Sequence, residues 1–145
     1  MGAFSSVTTE TYRLIKTAPP VEAYLRLRAE SGLSPKRADQ AEAALPGSWA
    51  AAHIVETATG TPVAMGRVIG DGGWYFHIAD MAVLPEHQRQ GLGDRILTEL
   101  LAHIRTEAPT GAWVTLMADP PGRRLYSRHG FRETAPDSLG MALTL

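Results

Sequence analysis

The feature that most constrains this chain is a junction. Trp74–Leu84 (WYFHIADMAVL) is an apolar run long enough for a central strand, while Gly91–Glu107 carries Leu92, Ile96, Leu97, Leu100, Leu101 and Ile104 on one helical stripe. Between them lies the polar stretch PEHQRQ, closed by Gly91-x-Gly93. A strand that passes through a short loop into an amphipathic helix points to a layered α/β arrangement. It also creates a chemical opportunity. The first turn of a helix holds N–H groups without intrahelical partners, together with roughly half a positive charge. Glycines there let a ligand approach the backbone with no Cβ in the way, and Arg89 adds a cation at the mouth. Such a loop suits a diphosphate better than a lone carboxylate. The plainer reading is an ordinary helix-entry loop with flexible glycines, and context must decide between the two.

The flanking segments supply that context. Thr11–Ile15 alternates like a short strand and is stopped by TAPP. Val21–Ala29 has helical spacing and breaks at SGLSP, where Ser34 before Pro35 predicts the N-cap of a second helix over Lys36–Ala44. Trp49–Glu56 and Pro62–Ile69 read as strands joined by a turn at TATGTP, and GDGG (Gly70–Gly73) supplies the next reversal. After the long helix come a strand at Trp113–Met117, a loop at ADPPG, a short helix at Arg123–His129 capped by Gly130, and a last alternating strand at Gly140–Leu145. This order predicts an α/β (mixed α+β) fold with a central mixed sheet of 6–7 strands flanked by about four helices. With no repeat or linker in view, residues 1–145 read as one domain.

Composition narrows the chemistry. A formal net charge of −1, with no basic block beyond Arg123-Arg124, argues against nucleic acid or an anionic membrane as main partner. The chain has no cysteine, so disulfides, thiolate zinc sites and a Cys nucleophile are excluded. The histidines at 53, 87, 103 and 129 show no metal-ligand spacing, and no metal is expected. No stretch approaches the roughly 20 apolar residues of a membrane span, and no signal-peptide core opens the chain. MGAFSS matches the M-G-x-x-x-S acylation pattern, a short match that chance often supplies. The expectation is a cytoplasmic protein.

Two nucleotide motifs fail on inspection. A dinucleotide fingerprint would need a third glycine where Ile96 stands, and no G-x-x-x-x-G-K-[ST] occurs. What the residues do match is Gln88-x-x-Gly91-x-Gly93, which resembles the Q/R-x-x-G-x-G/A signature of the GNAT family of acetyl-CoA-dependent N-acetyltransferases. The flanking IADMAVLPEHQRQGLG resembles that family's strand and pyrophosphate loop, and ADPPGRRLYSRHGF resembles its second signature, a helix ending in Tyr-x-x-x-Gly-Phe. The two stretches stand in the family's order and spacing.

The resemblance implies the GNAT acyl-CoA N-acyltransferase fold, with acetyl-CoA as co-substrate. By position, backbone groups of Met81, Ala82 and Val83 would hold the pantetheine arm, and Gln88, Arg89, Gln90, Gly91, Leu92, Gly93 and Asp94 the diphosphate region. Asp119 stands where many members carry an Asn that contacts the cofactor, and Tyr126 matches the general acid that protonates the leaving thiolate. Many relatives place a Glu base where this chain has Val114. That leaves His77, Asp80 or water alone as the base. His77 falls where arylalkylamine acetyltransferases carry the first of two histidines, the second matching Ala79. An ideal strand puts Asp80 on the opposite face from His77, and a β-bulge would change that parity.

The acceptor pocket is expected to draw on Tyr24, Arg28, Leu33, Trp49 and Phe76, an aromatic and mildly charged lining that suits a small primary amine with an apolar body. GRVIGDG, LMAD and GMAL resemble serotonin-type members, while a protein N-terminus or lysine, a polyamine or an aminoglycoside-like amine stays open. A non-catalytic acyl-CoA sensor of the same fold is the rival, against which Tyr126 argues, because a pure binder needs no proton donor. A nucleotide-binding α/β domain is a weaker one. The family resemblance also brings the expectation of a homodimer.

Overall fold

The computed structural model describes residues 10–145, so the acylation pattern at Met1–Ser6 lies outside the described residues. Its strands are β1 (Tyr12–Ile15), β2 (Ala50–Glu56), β3 (Thr61–Gly70), β4 (Tyr75–Val83) and β5 (Trp113–Leu116). Its helices are α1 (Val21–Glu30), α2 (Ala38–Ala44), α3 (Leu92–Glu107) and α4 (Arg123–Arg128). The chain divides into two compact units, one ending at Thr115 and one running from Leu116 to Leu145.

In the first unit the strands lie in the order β1-β2-β3-β4-β5. β1 through β4 form an antiparallel meander, with Leu14 opposite Ile54, His53 opposite Met65 and Val68 opposite Ile78. The β3–β4 reversal is built by Asp71, whose Oδ1 accepts the N–H groups of Gly73, Trp74 and Tyr75 at 2.7, 2.9 and 3.2 Å. Those hydrogen bonds hold its carboxyl below the ordinary carboxylate range.

Alternation along β3 sorts the two faces of the sheet. A Cβ added to Gly66 would fall 2.6 Å from Met81 Sδ and 2.7 Å from Ile96 Cγ2, so Gly66 looks towards α3. Its neighbour Arg67 looks the other way, towards α1. The apolar stripe of α3, Leu92 to Ile104, is buried as its spacing predicts, and Phe76, Ile54, Leu27 and Met65 complete the core. Opposite Gly66 the ladder slips. Met65 pairs with Ala82 but Arg67 with Ala79, so β4 spends Asp80 and Met81 against one residue of β3. That is a β-bulge, and Asp80 sits in the left-handed region at φ 59°.

Two expectations fail. The second helix starts at Ala38, not Lys36, because the oxygens of Ser34 are taken by the Arg28 guanidinium and the Arg37 N–H is instead capped by Gln40 Oε1 at 3.0 Å. Gly140–Leu145 forms no strand, which leaves five strands among the described residues in place of six or seven. Its alternation is real, but alternation yields a strand only where a partner supplies the ladder, and Met141, Leu143 and Leu145 stay exposed.

Gly66→Ala is expected to force Met81 and the Ile96–Leu100 face of α3 apart, at about 1–3 kcal/mol, the usual range for overpacking. Urea unfolding of the two proteins checks this, and an unchanged midpoint would refute the close approach.

Candidate active site

The bulge turns Asp80 towards α1. Its Oδ2 accepts the Tyr24 hydroxyl at 2.7 Å and the Arg67 Nε, and its Oδ1 pairs with Arg28 Nη1. The carboxylate keeps only 7% of its side-chain surface. Burial alone would raise its pKa, but the hydrogen bonds from Arg67 and Tyr24 and the two cationic charges outweigh that and hold it below the usual carboxylate range. The Tyr24 phenol moves the other way, raised by burial and by its bond to Asp80. Asp80 is therefore an anchored anion and a poor proton acceptor near neutral pH. As a candidate base it loses its chemical rationale, because two guanidiniums and a phenol already occupy its oxygens.

Two residues share a strand face when they are two apart. His77 lies opposite Ile69, two residues from Arg67, so His77 and the Asp80 cluster occupy the same face. Burial lowers the imidazole pKa below its ordinary value, so the ring is neutral at pH 7. Its Nδ1 lies 2.8 Å from Thr115 Oγ1, and that hydroxyl lies 3.5 Å from the Phe76 carbonyl. When Thr115 donates to the carbonyl, its oxygen accepts the Nδ1 proton and Nε2 keeps a free lone pair.

After β4 a single 3₁₀ turn (Pro85–His87) leads to the glycine loop. Gln88 Nε2 donates to the Val83 carbonyl at 3.1 Å, tying the loop to the strand end, and His87 Nδ1 meets the Tyr12 hydroxyl at 2.8 Å. Arg89 and Gly91 both adopt left-handed φ, 63° and 77°. The first backbone bond of α3 is Arg95 N–H to the Gly91 carbonyl at 3.1 Å. Arg89, Gln90, Gly91, Leu92 and Gly93 thus present N–H groups with no acceptor among the described residues. Alternating handedness aims such groups into a common concavity that suits an anion. A Cβ at Gly91 would meet nothing within 4 Å, so that glycine is required by its φ and leaves the approach open. Leu92 contributes backbone only, because its side chain is buried in the core.

The second unit carries Asp119 and Tyr126. Asp119 is exposed and its carbonyl receives the Gly122 N–H at 3.0 Å, while Arg123 Nε donates to the Ala118 carbonyl at 3.1 Å and braces the same loop. The Tyr126 ring lies on Gly122, where a Cβ would come within 2.7 Å of Cε2 and 3.0 Å of the hydroxyl, and it meets Phe131 edge-on at 6.2 Å. Burial raises the Tyr126 pKa, with a further push from the charge of Asp119. No side chain among the described residues takes its hydroxyl.

Of the residues expected around the acceptor, Tyr24 and Arg28 meet at Asp80. Leu33 ends the α1 turn, its N–H on the Arg28 carbonyl at 2.9 Å. Trp49 and Phe76 are not brought to them. Their rings pack at 4.7 Å and Trp49 meets His103 of α3 at 5.1 Å, on the far face of the sheet. Arg67 escaped sequence reasoning. Its signal was a lone cation inside the otherwise apolar run VAMGRVI.

The sequence profile of the acetyltransferase (GNAT) domain matches residues 48–133, more than half of the chain. A probable acetyltransferase of unknown function from methicillin-resistant Staphylococcus aureus is 36% identical and superposes with a TM-score of 0.87 over 92% of this chain and 99% of its own. A GNAT-family acetyltransferase from Streptococcus pneumoniae is 25% identical with a TM-score of 0.75, over 92% of this chain and 98% of its own. A third, a GNAT-family protein from Xanthomonas campestris, shares the fold at 22% identity and a TM-score of 0.74, over 94% and 96%. No curated protein matches in sequence.

Asp80→Asn keeps the shape but strands two shielded guanidiniums, and is expected to cost about 3–5 kcal/mol at pH 7. The wild-type term is present above the unfolded carboxylate pKa near ~3.9 and fades as the pH falls through the lower folded value, so the acid-side decline should flatten in the variant. Unfolding midpoints across pH 2–7 test both, and identical profiles would remove Asp80 from its central position.

Proposed function

The chain belongs to the GNAT acetyltransferase family, and on that premise we propose that it moves an acetyl group from acetyl-CoA to the primary amine of a small molecule by direct attack. The observation that carries the donor half is the run of acceptorless N–H groups at Arg89–Gly93. Arranged around the left-handed residues Arg89 and Gly91 at a helix start, they fit a diphosphate. Acetyl-CoA supplies an activated acyl thioester. Met81–Val83 at the end of β4 would orient it, and Gln88 keeps that strand end in register with the loop.

Proton handling falls to two side chains. An amine of pKa near ~10 must lose a proton to react at pH 7, at about 4 kcal/mol. His77 is neutral there, backed at Nδ1 by Thr115, and can receive that proton at Nε2 directly or through water. Tyr126, held over Gly122 with its proton tightly kept and its hydroxyl taken by no side chain among the described residues, is suited to hydrogen bonding and late transfer to the departing thiolate. The chain has no Cys to form a covalent intermediate. The acceptor is drawn to the α1 face of the sheet, where Tyr24, Arg28 and Asp80 meet.

Release of CoA across a panel of amines tests the whole reading, and binding without turnover on any amine would favour the sensor. Tyr126→Phe should slow turnover by about 10–100-fold or more, within the range for general acids. Gly122→Ala should act in the same direction by displacing the ring. The wild-type kcat/KM should rise with pH through a pKa below the ordinary ~6.5 of histidine, because only the unprotonated ring accepts a proton. His77→Gln should erase that limb. A limb that survives the substitution assigns it elsewhere.

A further inference from the structure

The cluster at Asp80 holds two guanidiniums against one carboxylate. Arg28 and Arg67 retain only 11% and 14% of their side-chain surface, and among the described residues no other carboxylate pairs with either. Tyr24 does not alter the count, since its phenol donates to Asp80 and its raised pKa keeps it neutral. One positive charge is left over where solvent screens it poorly, and shielded cations without a counter-ion are costly.

The two arginines differ in what they have left to give. Arg28 is committed, with Nη1 on Asp80 and Nε and Nη2 on the Ser34 carbonyl at 3.0 and 2.9 Å. Arg67 gives Nε to Asp80 and one Nη1 proton to Ser48 Oγ at 3.3 Å, and its Nη2 has no acceptor among the described residues. No fully buried polar side-chain atom among the described residues lacks a partner, so this Nη2 is open to solvent. Arg67 lines a small open cleft together with Pro19, Tyr24, Leu45, Met65 and Asp80. Apart from the cluster itself the lining is apolar, which strengthens any ionic contact made inside it.

We propose that this cleft binds a carboxylate through Arg67, and that the acceptor is consequently an amine that also carries a carboxylate. A monoanion cancels the surplus charge, whereas a phosphate dianion would overshoot it. The open Nη edge of a guanidinium presents paired N–H groups in the geometry of a carboxylate. That the bound anion belongs to the acceptor rests on the acetyltransferase reading; the anion site itself does not.

The test uses matched ligands: an ω-amino acid, its primary amide and the corresponding aminophosphonate. Binding is read by calorimetry and turnover by CoA release in the presence of acetyl-CoA. The amino acid should bind at least 10-fold more tightly than the amide. Arg67→Gln should reduce that ratio to less than 3-fold with amide binding unchanged, and Arg67→Lys, which keeps the charge but loses the paired N–H groups, should keep part of it. Equal binding of acid and amide to the wild-type protein overturns the proposal, as does no binding of any of the three, or a preference that survives Arg67→Gln. Tighter binding of the phosphonate than of the carboxylate overturns the assignment of the anion. A carboxylate preference in binding with no CoA release from any amine upholds the site and refutes the acetyltransferase reading instead. Should Arg67→Gln fail to fold, the wild-type ligand ratio together with Arg67→Lys still decides.

Discussion

One irregularity in the sheet organises the first unit. Where β4 spends two residues against Gly66, the extra residue changes the parity of the strand. Asp80 is thereby placed on the face of Arg67 and His77, which regular alternation would have denied it. A non-glycine residue at positive φ carries a backbone penalty on the order of 1–3 kcal/mol. Here the side chain is held from three directions, by Tyr24 and Arg28 of α1 and by Arg67 of β3. On the opposite face the missing Cβ of Gly66 admits Met81 and α3. The bulge thus fixes α1 and α3 at one point, and the end of β4 and the glycine loop inherit their direction from it.

Much of this was legible beforehand where the signal was long and periodic. The α3 stripe, the strand before it and the glycines between them carry their structure in local spacing, since 3.6-residue and 2-residue repeats need no knowledge of the partner. The parity of Asp80 was not legible. A bulge is decided by the cross-strand ladder, and its stabilising partners stand 52 and 56 residues away in α1. Trp49 and Phe76 were expected at the acceptor for their chemistry, but a one-residue step along a strand sends a side chain to the other face. The alternating end of the chain shows the converse. Pattern identifies a segment able to form a strand and is silent about whether an edge is there to receive it.

The second unit works by a different device. A Pro-Pro-Gly turn opens α4, and the glycine exists to be covered by the Tyr126 ring. That contact is local, the two positions standing four apart in the chain. The tyrosine was singled out by its place in the Tyr-x-x-x-Gly-Phe signature, whereas the lone arginine of β3 belongs to no such motif and its cationic signal in an apolar run passed unused.

Charge ties the two proposals for the α1 face together. In the proposed reaction His77 would take up a proton and become cationic, on a face where two guanidiniums meet one carboxylate. A cation nearby disfavours protonation of an imidazole, and an anion arriving there relieves that. An acceptor that brings its own carboxylate to Arg67 would therefore do more than anchor itself. It would lower the electrostatic penalty of the proton transfer that frees its amine, so that an acceptor without the anion would react more slowly even when bound. Recognition and deprotonation would then draw on the same unbalanced pair of guanidiniums. In this light the extra arginine is more than an imperfectly neutralised core. On this proposal it is a charge that the substrate would complete.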